Sequence, residues 1–176
     1  MRVFLNFKVL SQLNFETMTF TKINKSVLAF LSLLLIVIST ISSCKKEDEG
    51  PDQAAIDDAL IVQYVADHQL DGKYTINGLY YVIVEEGDGN FPYSSAIIKV
   101  SYKGYFLDGE VFDEGHLSAT PLNGLILGWQ DGIRRIDRGG RIKLVVPSRL
   151  AYGDQASGNV PANSVLVFDV TLHDFE

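Results

Sequence analysis

Asp113, set directly behind Phe112, is the carboxylate in this sequence whose neighbours suggest more than solubility. An acidic group beside a bulky aromatic at the end of a short strand can accept a hydrogen bond or supply a local field. An ordinary turn-capping aspartate is the competing reading. Around it, reactive sets are nearly absent. There is no glycine-rich phosphate cradle, no serine in a nucleophile elbow and no histidine pair on a helix face. His68, His116 and His173 are scattered, so no metal site is expected, and no cofactor is implied. Cys44 is the single cysteine, which rules out an internal disulfide and leaves stability to packing.

Cys44 does have a context. The run from Val27 to Ser42 carries no charge, Lys22 and Lys25 precede it, and Ile41-Ser-Ser-Cys44 closes it with small residues. That is the order of a secretory signal peptide, and the apolar run falls short of the about 20 residues that span a bilayer. The Ile-Ser-Ser-Cys ending resembles a lipobox, which makes Cys44 the expected lipidation site and residues 1–43 the expected lipoprotein signal peptide, with Met18 an alternative start. Residues 44–52 are then a lipidated cysteine and a charged tether. The expected location is the cell envelope, lipid-anchored, at the outer membrane and facing either the periplasm or the surface.

The chain has 176 residues and a net charge of −7. The first 43 residues are net basic (Arg2, Lys8, Lys22 and Lys25 against Glu16), so the remainder is more acidic than the whole. An acidic domain is poorly suited to nucleic acid, and membrane association is expected through the anchor only.

The elements that must position any site follow from periodicity. Ile56, Leu60, Ile61 and Tyr64 recur at helical spacing behind a possible Asp52 N-cap, giving an amphipathic helix within residues 53–72 that packs on its own domain, the chain being a monomer. After Asp71-Gly72 the period becomes that of strands. Residues 79–84, 97–107, 141–146 and 165–172 are rich in β-branched and aromatic side chains, and Gly87-Asp-Gly89 and Asp108-Gly109 supply turns. A second helix is expected over 129–136, stopped by Gly139-Gly140. The fold class is α+β, mainly antiparallel sheet.

Several stretches occur in a telling order: Tyr102-Lys-Gly-Tyr-Phe-Leu-Asp-Gly-Glu-Val-Phe-Asp113, Leu125-Ile-Leu-Gly-Trp-Gln-Asp-Gly132, Arg141-Ile-Lys-Leu-Val-Val-Pro147, Leu150-Ala-Tyr-Gly153, and Val160-Pro161 before Leu166-Val-Phe-Asp-Val170. Together they resemble the FK506-binding (FKBP) family of peptidyl-prolyl cis/trans isomerases, from about residue 78 to the C-terminus. The resemblance implies a twisted antiparallel sheet wrapped around a short helix, with the isomerase domain over 73–176. It also implies that Trp129 forms the floor of an apolar pocket and that Tyr102, Phe112, Phe168, Leu125 and Ile126 form its walls. Asp113 and Tyr152 would stand at its mouth, the Ile126 N–H would meet a substrate carbonyl, and Val160 would belong to a loop closing over the ligand. Plain core packing is the competing role for each apolar member.

The implied activity is rotation about X-Pro bonds of exported proteins, with FK506- or rapamycin-type macrolides as possible ligands. A non-catalytic binding or chaperone module of the envelope is the alternative. The sequence departs from the family pattern at Thr120, near a usual rim aromatic, at Asn159 and Ala162 in the closing loop, and in having no arginine closely after Phe112-Asp113.

Overall fold

Asp52 caps the first helix by accepting a hydrogen bond from the Ala54 N–H at 3.1 Å, which satisfies one of the free donors of a helix start. The computed structural model describes residues 52–176; the leader, Cys44 and nearly all of the tether expected over 44–52 lie outside them. The first helix, α1, runs Gln53–Asp67 and buries Asp57, Ile61 and Tyr64. Ile61 and Tyr64 of the expected stripe are buried, and the other two expected members are not. Ile56 and Leu60 face solvent at 38% and 39% exposure, because a carboxylate, Asp57, occupies the turn that hydrophobicity would assign to them.

Six strands follow: β1 (Lys73–Tyr74), β2 (Tyr80–Glu85), β3 (Ile97–Tyr105), β4 (Val111–Pro121), β5 (Arg141–Val146) and β6 (Leu166–Phe175). They form one antiparallel sheet in the order β1-β2-β5-β6-β3-β4. Helix α2 (Leu127–Gly132) continues as a 3-10 turn over Ile133–Arg135. It starts two residues before the helix expected from sequence and tightens where that helix was expected to continue. The sheet with its short central helix is the α+β architecture that the family resemblance implied.

Strand alternation sends side chains to two separate apolar layers. Ile142, Leu144 and Val146 of β5 and Leu166, Phe168, Val170 and Leu172 of β6 join Trp129, Ile133 and Ile136 beneath α2. Their neighbours Val145 and Val167 point the other way, where Ile61 and Tyr64 of α1 cover them together with Tyr80 and Val165. The sheet is thus roofed on both faces.

Two glycines set how closely α2 can lie on the sheet. A Cβ on Gly128 would stand 2.4 Å from Val146 Cγ1, and one on Gly132 2.5 Å from Leu144 Cδ2. At the far side of the sheet β4 is an edge, and its pairing with β3 slips twice, between Ile98 and Val100 and between Gly104 and Tyr105. Ala119 lies in the first slip with φ +56.

Candidate functional site

The second slip in β4 builds one wall of a cavity. Tyr105 pairs with Val111 and Gly104 with Asp113, so Phe112 is an extra residue bulged out of the ladder. Regular alternation would send Phe112 and Asp113 to opposite faces. The bulge brings both to the same cavity, which has a volume of about 220 Å³ and is also lined by Tyr102, Leu117, Leu125, Ile126, Trp129, Tyr152 and Phe168. Asp113, expected at the end of a short strand, in fact lies near the start of an eleven-residue one.

The aromatic members are fixed edge to face. Trp129 meets Tyr102 with centroids 5.2 Å apart at 78°, and Phe168 at 5.4 Å and 88°. Phe168 in turn meets Phe112 at 5.6 Å and 89°. Such pairs direct a ring edge at a neighbour's electron-rich face, so each plane is held by the next. Trp129 is 4% exposed, and its indole N–H finds no acceptor among the described residues. The side chain contributes a broad apolar floor and one unspent donor.

Polarity enters at the mouth. The Tyr102 hydroxyl donates to Asp113 Oδ2 at 2.7 Å. This hydrogen bond to a carboxylate, burial and the nearby negative charge push the Tyr102 phenol up to about 12. Tyr152, at 38% exposure, also lines the cavity. Ile126 occupies the N-cap of α2, and its carbonyl accepts from the N–H groups of Trp129 and Gln130. Its own N–H donates no hydrogen bond among the described residues.

A family description, "FKBP-type peptidyl-prolyl cis-trans isomerase", matches residues 89–173. A curated Escherichia coli (strain K12) protein, "FKBP-type peptidyl-prolyl cis-trans isomerase FkpA", is 44% identical over 106 residues, covering 58% of this chain and 39% of its own length. The crystal structure of FkpA from Escherichia coli superimposes with a TM-score of 0.63 at 34% identity, over 89% of this chain and 75% of that one. The chain belongs to the FKBP-type peptidyl-prolyl cis-trans isomerase family. The crystal structure of AtFKBP13 is also similar, with a TM-score of 0.56 at 28% identity over 61% of this chain and the whole of that one. The sequence match spans about two fifths of the length of the E. coli FkpA relative.

Within this FKBP-family domain, eight of the nine residues singled out from sequence line the one cavity. The exception is Val160. It is 5% exposed, sits in the core cluster with Trp129 and Phe168, and exchanges two 2.9 Å backbone hydrogen bonds with Ser157, so it backs the cavity instead of lining it. Thr120 is paired with Ile98 in the sheet and is not part of the lining.

Two contributors carried no signal as candidates. Leu117 lines the wall because the Ala119 bulge leaves it opposite Val100. Gly104 opens the cavity by lacking a side chain: a Cβ there would lie 2.7 Å from Phe112 Cζ and 2.9 Å from Phe168 Cε1. A glycine inside a strand is the one cue that could have pointed to it. Among the described residues, no group of three His, Cys, Asp or Glu side chains is placed to hold a metal ion, and no helix is long and apolar enough to cross a membrane.

Proposed function

We propose that this chain catalyses cis/trans isomerisation of X-Pro bonds in exported proteins, and that the aromatic cavity is where it does so. The observation that carries the reading is the fixed set of Tyr102, Trp129, Phe168 and Phe112 around a cavity with a single carboxylate, Asp113, already engaged by Tyr102.

The uncatalysed rotation takes tens to hundreds of seconds at about 25 °C, because the amide nitrogen donates into its carbonyl and stiffens the C–N bond. No bond has to break. Charge separation in the planar amide is stabilised by water and lost as the bond twists. An apolar cavity that strips water from the amide therefore disfavours the planar form more than the twisted one, which is differential binding of the transition state.

In this reading Trp129 supports the proline ring from below, while Tyr102, Phe112 and Phe168 enclose it. Leu125 and Ile126 extend the apolar wall. The Ile126 N–H and the Tyr152 hydroxyl take the flanking carbonyls. Asp113 shapes the field at the mouth as a hydrogen-bond acceptor and takes no proton from the substrate. Proline-containing segments of secreted chains are the substrates, FK506- and rapamycin-type macrolides compete for the cavity, and a lipid on Cys44 holds the domain in the cell envelope.

A protease-coupled assay on residues 45–176 with a prolyl tetrapeptide tests this. The expected result is catalysis suppressed by FK506 and strongly reduced in Phe112→Ala and Trp129→Ala variants that retain native circular dichroism. Absence of catalysis in the unaltered chain, or full rates in both variants, would overturn the assignment.

A further inference from the structure

The most deeply buried charged group lies outside the cavity and no step above uses it. Asp57, in the second turn of α1, is 0% exposed. Its Oδ2 accepts from the Ser148 N–H at 2.8 Å and from the Ser148 hydroxyl at 2.6 Å, and its Oδ1 accepts from Gln53 Nε2 at 2.7 Å. A buried carboxylate is costly unless such bonds compensate it, so this contact fixes Ser148 firmly against α1.

Ser148 holds the segment that carries Tyr152 of the cavity lining. Its carbonyl accepts from the N–H groups of Ala151 and Gly153, at 2.9 and 2.8 Å, and these two residues flank Tyr152. The Gly153 carbonyl then accepts from the Asn163 N–H at 2.7 Å, which pins together both ends of the loop between them. A continuous relay therefore runs from Asp57 through Ser148 to Gly153 and Asn163. Every hydrogen bond in it is 2.8 Å or shorter.

We infer that Asp57 is a positioning residue for the isomerase cavity: through Ser148 it sets where Tyr152 and the base of the 153–163 loop stand, so α1 governs substrate affinity. The inference rests on the isomerase reading. The carbonyl assigned to Tyr152 flanks the rotating bond and stays a carbonyl throughout the rotation, so displacing Tyr152 weakens binding more than turnover of bound substrate.

The substitution that separates geometry from charge is Asp57→Asn. An asparagine carbonyl can accept both Ser148 bonds, and the Gln53 amide can turn to accept from the new NH2 group. Asp57→Ala removes every partner, and Ser148→Ala keeps the N–H bond while deleting the hydroxyl one.

The test uses residues 45–176 labelled with 3-fluorotyrosine, the Tyr152 resonance being assigned by its disappearance in Tyr152→Phe. Asp57→Ala is expected to raise KM by about fivefold or more with kcat within about twofold, and to shift or broaden the Tyr152 resonance. Ser148→Ala should move both readouts the same way by less, and Asp57→Asn should restore both. An unchanged Tyr152 resonance and KM in folded Asp57→Ala, or an Asp57→Asn protein as impaired as Asp57→Ala, overturns the inference. If Asp57→Ala does not fold, Ser148→Ala decides by the same two readouts. If the unaltered chain proves inactive, the functional reading fails separately, and the Tyr152 resonance alone decides whether the relay operates.

Discussion

Gly104 faces Phe112 across the β4 bulge with no room for a methyl group, its Cβ position lying 2.7 Å from Phe112 Cζ. Placing alanine there must push the Phe112 ring off its seat or strain the strand. Gly104→Ala is expected to cost about 1–3 kcal/mol in urea unfolding, as overpacking does. Because the displaced ring is a cavity wall, kcat/KM should fall by about tenfold, the loss expected from removing about 1.4 kcal/mol of transition-state stabilisation.

The Tyr102–Asp113 pair predicts a flat pH–rate profile. With the phenol held up to about 12, Tyr102 remains a donor to the carboxylate throughout the neutral range. Since no proton is transferred in the reaction, kcat/KM should not vary between about pH 6 and pH 9, without the bell shape of acid–base catalysis. Tyr102→Phe should lower kcat/KM by about tenfold, the scale of one lost hydrogen bond to a charged group, with the flat profile retained.

Three phenols have the same alkaline consequence for stability. Burial is the first cause of the rise to about 12 at Tyr64 and Tyr105, and the Asp113 hydrogen bond is the first cause at Tyr102. Raised folded values mean that the native chain holds these protons more tightly than the unfolded one. Their contribution is complete below the ordinary phenol value of 10.0 and is lost as pH climbs from there toward 12. Urea midpoints should be level up to about pH 9 and fall steeply above 10.

Asp137 is a stability residue by contrast. It accepts from the N–H groups of Gly87 and Gly89, each at 2.7 Å, tying that loop to the segment after α2. These bonds hold its carboxyl below the ordinary value of 3.8, the Gly89 N–H contributing most. The stabilisation is present above that value and disappears as pH falls through the lower folded one. Asp137→Ala should lower the melting temperature by several degrees at pH 7 and leave kcat/KM unchanged.

Removing α1 should be severe. A chain beginning at Gln69 loses Ile61 and Tyr64 from the layer over Val145 and Val167. At about 1.5–3 kcal/mol for each buried side chain, the truncation should cost about 3–6 kcal/mol, read as a drop in urea midpoint against residues 45–176.

Much of this was legible in the sequence because it follows from local pattern. The alternation in β5 and β6, the N-cap at Asp52 and the stretch around Trp129 each announce an element within a few residues. The aromatic cavity came from the order of motifs, not from periodicity. What stayed hidden depends on register. Nothing local says that Phe112 is bulged, that Ala119 lets Leu117 face inward, or that a carboxylate in α1 will find a serine 91 positions later. Val160, placed by the resemblance in a loop closing over the ligand, has its side chain in the core, its backbone exchanging two hydrogen bonds with Ser157.

The broken register of β4 has one more outcome. A long, regular outermost strand offers an unbroken row of unpaired amides and carbonyls on which a foreign extended segment can nucleate. Here that row is interrupted at Phe112 and again near Ala119, which breaks the edge into shorter runs. For a domain proposed to act on half-folded polypeptides, the kinks that shape the cavity also break up the edge on which such chains could pair.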